Sequence, residues 1–161
     1  MSNGRSLLLV FFLLILLSGC GVSEAIPDES MFDLNVTLPE TIHADQTVMI
    51  QVDLTNNSKY TWEGMHGLDL FKFKVKDTQG NEVSTYEGIR VVDALGISIK
   101  LRSKEIYEFY KSDRYQENLN QITIKNPGIY MLEVSCDIGI NHKEKEYPLT
   151  IKAEPIEIII Q

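Results

Sequence analysis

Few residues in this chain have the types and spacing that chemistry needs. His43, His66 and His142 stand far apart, and none has a second histidine or a cysteine at metal-ligand spacing. Each reads as a loop or surface residue. Asp77 to Asn81 carries a glycine, Gly80, at the wrong offset for a helix–loop–helix calcium loop, and reads as a hairpin turn. Glu144 and Glu146 flank Lys145 in a charged turn and read as solvated surface. No serine-centred nucleophile motif, phosphate-cradling glycine loop or Cys–His pairing is visible. The expectation is a protein that is not an enzyme, with no metal and no cofactor. Two cysteines remain. Cys136 falls on the alternation Tyr130, Leu132, Val134, Cys136, which places its thiol in a core; a reactive thiol needs a polar, partly exposed setting. Cys20 follows two small residues, Ser18 and Gly19, at the end of an unbroken apolar run from Leu7 to Leu17.

That run is 11 residues long, with Arg5 and the free amino terminus before it. A membrane-crossing helix needs roughly 20, so the segment reads as a secretory signal with a charged start, a short apolar middle and small residues at the cut. Leu17-Ser18-Gly19-Cys20 resembles the lipobox of bacterial lipoproteins at all four positions. The resemblance implies that the Cys20 thiol receives a diacylglycerol, that the peptide is cut before it, and that the new amino group is acylated (palmitate is the expected acyl chain). Two acyl chains suffice for stable anchoring. The chain then divides into a signal peptide (1–19), a lipidated terminus with a flexible tether (20–30) and one domain (31–161). The expected location is the cell membrane, lipid-anchored and facing the extracytoplasmic side.

Removing residues 1–19 leaves 142 and takes away only Arg5, so the net charge moves from -8 to -9. An acidic chain without a basic run is a poor match for nucleic acid or anionic headgroups. The charge is expected to hold the domain off an anionic surface. Gly21 to Ser30 is small, polar and acidic, as a tether would be.

From Met31 the pattern becomes period two. Phe32, Leu34, Val36 and Leu38 share a face, then Val48, Ile50, Val52 and Leu54, then Phe71, Phe73 and Val75, then Ile97, Ile99 and Leu101. Further extended pieces are expected at 82–86, 106–110 and 121–124. Residues 113–120 read as a loop or one short helix. Ile129 to Ile138 is the clearest strand, Tyr147 to Ile151 returns, and Pro155 to Ile160 adds a last strand or covers an edge. Seven to nine strands with frequent turns predict an all-β, antiparallel sandwich.

Val48 to Ser58, and Asn126-Pro127-Gly128-Ile129-Tyr130-Met131-Leu132, resemble strands of bacterial immunoglobulin-like domains. In such a strand the tyrosine packs at the sandwich end and its hydroxyl bonds back to the backbone. With Phe71 to Asp77 and Gly80 to Val83, the order is similar to the bacterial intracellular proteinase inhibitor family over residues 46–135. Where that family has a Trp-x-x-Ser-like segment, this chain has Ser84-Thr85-Tyr86-Glu87, so the resemblance implies the fold and no functional residue.

Lys59 to Gly67 holds the only tryptophan, with Tyr60, Met65 and His66, between two strands. Aromatic and methionine side chains on a loop are what a binding surface uses, and Gly64 and Gly67 would permit the backbone to turn Trp62 outward. The other reading puts Trp62 in the core. Two functions follow: a membrane-anchored accessory module that binds an envelope protein through Tyr60, Trp62, Met65 and His66, or an inhibitor of a cell-surface or secreted protease.

Overall fold

The computed structural model describes residues 25–85 and 95–161. Cys20 with its lipobox, the signal peptide 1–19 and Tyr86 lie outside the described residues. Among those described, twelve strands occur: β1 (Phe32–Thr37), β2 (Thr47–Met49), β3 (Gln51–Asn56), β4 (Trp62–His66), β5 (Phe71–Lys76), β6 (Glu82–Val83), β7 (Ile97–Leu101), β8 (Ile106–Tyr107), β9 (Gln121–Thr123), β10 (Gly128–His142), β11 (Lys145–Lys152) and β12 (Ile156–Ile160). Their ladders are antiparallel, and the fold is an immunoglobulin-like β-sandwich. The count exceeds seven to nine because β2, β6, β8 and β9 have only two or three residues each, too few to show a period.

β10 organises the fold. On one edge its residues 128–132 pair with β12 and 135–142 with β11. On the other, 131–136 pair with β5 and 139–141 with β4. β6 and β7 complete this seven-stranded sheet, β1, β3 and β8 form the facing sheet, and β2 pairs with β9. Leu132, Val134, Cys136, Ile138 and Ile140 point inward and are buried, against Phe32, Val52 and Leu54 of the facing sheet. Tyr130 shares their face but is only partly buried; its hydroxyl donates to the Asn126 carbonyl at 3.0 Å, which ties the Asn126 turn to the strand.

Three expectations are corrected. Val48 to Leu54 reads as one strand, but Ile50 separates β2 from β3 and donates its N–H to the Asn120 carbonyl at 2.8 Å. Val48, Ile50, Val52 and Leu54 are all buried, so the apolar period continues while the partner changes. Residues 106–110 are extended only over β8, and a 3-10 turn, Phe109–Lys111, then buries Phe109; a second, Glu117–Asn120, occupies the ambiguous 113–120 stretch. The described part of the tether is folded, not flexible. Ala25 packs on the core, Pro27 is buried, and Asp28 caps a turn over Glu29–Met31. The Met31 carbonyl accepts the Asn57 N–H at 2.7 Å, and the Glu29 carboxylate accepts the Thr150 N–H at 3.2 Å.

Turn chemistry accounts for the hairpins. Asp77 accepts from the N–H groups of Gln79 and Asn81, and Gly80 has φ of 86°, a value glycine takes without strain. The β10–β11 turn sets Lys143 and Glu144 at φ 49° and 60°, the left-handed pair a tight hairpin needs. At the other end, Ile42 bridges Ile160 in parallel; Gln161 N–H donates to the Ile42 carbonyl at 2.9 Å and Ala44 N–H to the Gln161 carbonyl at 2.8 Å. This segment covers the end of the outer edge of β12. No helix among the described residues is long and apolar enough to cross a membrane.

Candidate functional site

The stretch Lys59 to Gly67 is not a loop. Its second half is β4, held between β10 and β7 with Met65 opposite Gly139 and Trp62 opposite Leu101. Strand alternation divides the four candidate residues. Trp62 and His66 point inward, 4% and 5% exposed, and Met65 points outward, 45% exposed. Tyr60 precedes the strand and is partly buried. These residues therefore do not form one surface. Gly64 is not a swivel either: β4 lies so close to β10 there that a Cβ would overlap the Gly139 carbonyl oxygen.

Trp62 belongs to a hydrogen-bonded hub. Its Nε1–H donates to Ser58 Oγ at 3.0 Å, the Tyr60 N–H donates to the same oxygen at 3.1 Å, and Ser58 Oγ–H donates to Asn56 Oδ1 at 2.7 Å. Asn56 is fully buried. Its Nδ2 protons are shared among the carbonyls of Tyr60 (2.7 Å), Arg102 (3.0 Å) and Leu101 (3.1 Å). Trp62→Ala is therefore expected to lower stability by about 3–5 kcal/mol, as for buried aromatics, read as a drop in the urea midpoint. The native emission should be blue-shifted and shielded from a soluble quencher.

His66, expected at the surface, links the two sheets. Its Nδ1 lies 2.6 Å from the Gly67 carbonyl and its Nε2 3.0 Å from the Tyr107 hydroxyl. A carbonyl only accepts, so Nδ1 carries the proton and Nε2 accepts from Tyr107. Phe109 meets the imidazole edge-on at 4.9 Å between centroids. Burial holds His66 below the ordinary histidine range, with the Gly67 hydrogen bond opposing, and pushes Tyr107 up to about 12. The folded state thus favours neutral His66. Its stabilising contribution is complete above the unfolded value of about 6.5 and is lost as pH falls below that toward the depressed native value. Urea midpoints should fall as the pH drops below about 6.5, and the fall should be smaller in His66→Gln.

Aromatic rings from three segments line up behind this stretch. Tyr60 packs on Trp62 at 5.5 Å, Trp62 meets His142 at 5.7 Å, and His142 meets Tyr147 at 6.4 Å. Lys59 lies over the Tyr60 ring and Lys145 over the Tyr147 ring. His142 and Tyr147 stand either side of the β10–β11 turn; their sequence signal is only that of a charged hairpin. Cys136 is fully buried, and burial pushes its thiol up strongly, which leaves it protonated and unreactive in the folded state. At the far end of the sandwich a cleft of about 610 Å³ is lined by Asp45, Thr47, Thr123 and Tyr130, among others. Among the described residues, no group of three His, Cys, Asp or Glu side chains is placed to hold a metal ion.

No family model matches this chain, and no curated protein matches it. Several solved structures resemble it in architecture. The putative ApaA protein from Bordetella pertussis is 14% identical at a TM-score of 0.45, over 83% of this chain and 98% of that one. The C-terminal domain of wzt is 11% identical at 0.41, over 81% and 70%. The CARDB domain of the PF1109 protein from Pyrococcus furiosus, solved in complex with di-metal ions, is 9% identical at 0.36, over 85% and 95%.

Proposed function

We propose that this chain is an envelope lipoprotein. It is exported by residues 1–19, cut before Cys20, held by lipid on that cysteine at the extracytoplasmic face of the cell membrane, and acts through its β-sandwich as a protein-binding or accessory module. The observation that carries the reading is Leu17-Ser18-Gly19-Cys20 directly behind an 11-residue apolar run. Action by contact is supported by how the chemistry-bearing groups of the described residues are used. His66 is held by Gly67 and Tyr107, Trp62 by Ser58, and the Cys136 thiol is sealed in the core. Of the expected contact residues, Met65 and part of Tyr60 stay accessible, so a partner meets these and not Trp62 or His66.

Mass spectrometry of the mature protein tests the anchor: an acyl mass on an N-terminal Cys20 is expected, and Cys20→Ala should accumulate as unlipidated precursor. Recovery from detergent-solubilised membranes tests the module. A stable non-protease partner is the expected result, a protease would move the reading to inhibition, and recovery of nothing would overturn it.

A further inference from the structure

We infer that the outer edge of β1 is a strand-addition site for an extended, basic segment of a partner protein, an inference that rests on the sandwich being a protein-binding module and not on the anchor at Cys20. The hydrogen-bond pattern identifies the open edge. Asn57 N–H donates to the Met31 carbonyl, one step beyond the Phe32–Asn56 pair of the β1–β3 register. In an antiparallel ladder such bonded pairs recur at every second residue. Asp33, Asn35 and Thr37 therefore turn their backbone groups toward β3, and Phe32, Leu34 and Val36 turn theirs away. Asn56 agrees: its N–H and C=O bond Glu105 and Lys104 on the far side of β3. The Phe32 N–H closes the Glu29–Met31 turn. Leu34 and Val36 are left with two N–H and two C=O groups that no strand among the described residues pairs.

Other strand edges among the described residues carry the devices that deter pairing. β7 holds Lys100, and β5, beyond the short β6, holds Lys72, Lys74 and Lys76. β11 holds Pro148, and its Thr150 N–H is taken by Glu29. β12 has the Ile42 bridge at its end. β1 runs from Phe32 to Thr37 with no proline, no lysine and an unbroken register. A groove of about 450 Å³ lies beside it, lined by Asp33, Leu34, Asn35, Lys152, Ala153 and Glu154, among others. Leu34 and Val36 are half-buried, which gives the inward side chains of an added strand an apolar seat.

Charge decides the occupant. Asp33 and Glu154 line the groove with Lys152, and Asp28 and Glu29 lie in the turn that leads into β1. Asp53 sits opposite Asn35, with Glu108 and Lys111 near it, and Lys104 bonds the Asn57 carbonyl at the groove's end. Six carboxylates thus stand against three ammonium groups. A second copy would bring the same carboxylates and a net charge of -8 to the contact. A strand with Lys or Arg at alternate positions brings the opposite sign. Its basic side chains would stand beside Asp33 and Asn35 on the solvent face, and the residues between them beside Leu34 and Val36. Main-chain bonds to Leu34 and Val36 would supply affinity, and the carboxylates would supply the preference.

The test uses the mature chain in detergent with two end-blocked hexapeptides, Lys-Val-Lys-Val-Lys-Val and Glu-Val-Glu-Val-Glu-Val, read by amide hydrogen exchange. The lysine peptide should slow exchange at Leu34 and Val36 severalfold, less so at high salt, and the glutamate peptide should not. Asp33→Lys with Glu154→Lys should exchange the two preferences. Val36→Pro removes one outward N–H without touching the β3 ladder, so it should melt close to the native protein and lose the protection. If that variant fails to fold, the two peptides on the native chain and the charge exchange still decide. No protection, equal protection by both peptides, or protection at Ser98 and Lys100 of β7 instead overturns the inference. Protection of Leu34 and Val36 that rises with protein concentration and needs no peptide assigns the edge to a second copy and overturns it too. A partner recovered from membranes equally by the native chain and by Val36→Pro overturns this edge and leaves the module reading in place.

Discussion

Asn56→Ala is expected to lower stability by about 3–4 kcal/mol, because each buried polar group left unsatisfied costs about 1–3. The Asn56 amide serves the carbonyls of Tyr60, Leu101 and Arg102 and orients Ser58, which in turn holds Trp62. The residue is fully buried, so the carbonyls it serves are out of reach of bulk solvent in the native fold. The melting temperature should fall by roughly 10–15 °C for a domain of this size. Asn56→Asp is the sharper probe. It keeps the shape and the acceptor for Ser58 but sets a carboxylate against three carbonyls, so it should be at least as damaging as alanine. An aspartate variant that melts like the native protein would show that the donor side of the hub contributes nothing.

Gly64→Ala is expected to be more damaging still, above about 4 kcal/mol or without a folded state. The added Cβ meets the Gly139 carbonyl oxygen, with the Ile140 Cα close behind. Both are backbone atoms of the central strand and cannot step aside without opening the ladder between β4 and β10. Gly139→Ala makes a useful contrast. Its Cβ would meet the Glu146 carboxylate, the far end of a flexible side chain, and the cost should be about 1 kcal/mol. Equal urea midpoints for the two variants would place the close approach elsewhere.

The fold was legible in the sequence wherever one face alternates. Phe32 to Leu38, Phe71 to Lys76 and Ile129 to Ile138 announce strands, and Asp77 to Asn81 announces its turn. Changes of partner were not legible, because the apolar period runs through Ile50 as β2 gives way to β3. The aromatic stretch was misread for a related reason. Two glycines and an exposed methionine look like a loop, but Gly64 is required by the backbone of β10, which lies far away in the sequence. Asn56 and Ser58 look like ordinary turn residues; that they are a buried hub follows only once Arg102 and Tyr60 are brought beside them. His66 shows the same blindness, since its partner Tyr107 belongs to the opposite sheet.

The segment from Ile42 to Ala44, bonded to Ile160 and Gln161, also bears on how copies behave toward one another. Ile156 to Ile160 has four β-branched residues around Glu157, with Ile159 exposed beside Ile129, a composition that can template cross-β association when its edge is bare. A bare β12 edge would offer its unpaired N–H and C=O groups to the same strand of another copy. The short cover at its end, with Pro155 just before the strand, shortens that open ladder, and lifting residues 42–44 is expected to lengthen it and to favour edge-to-edge association.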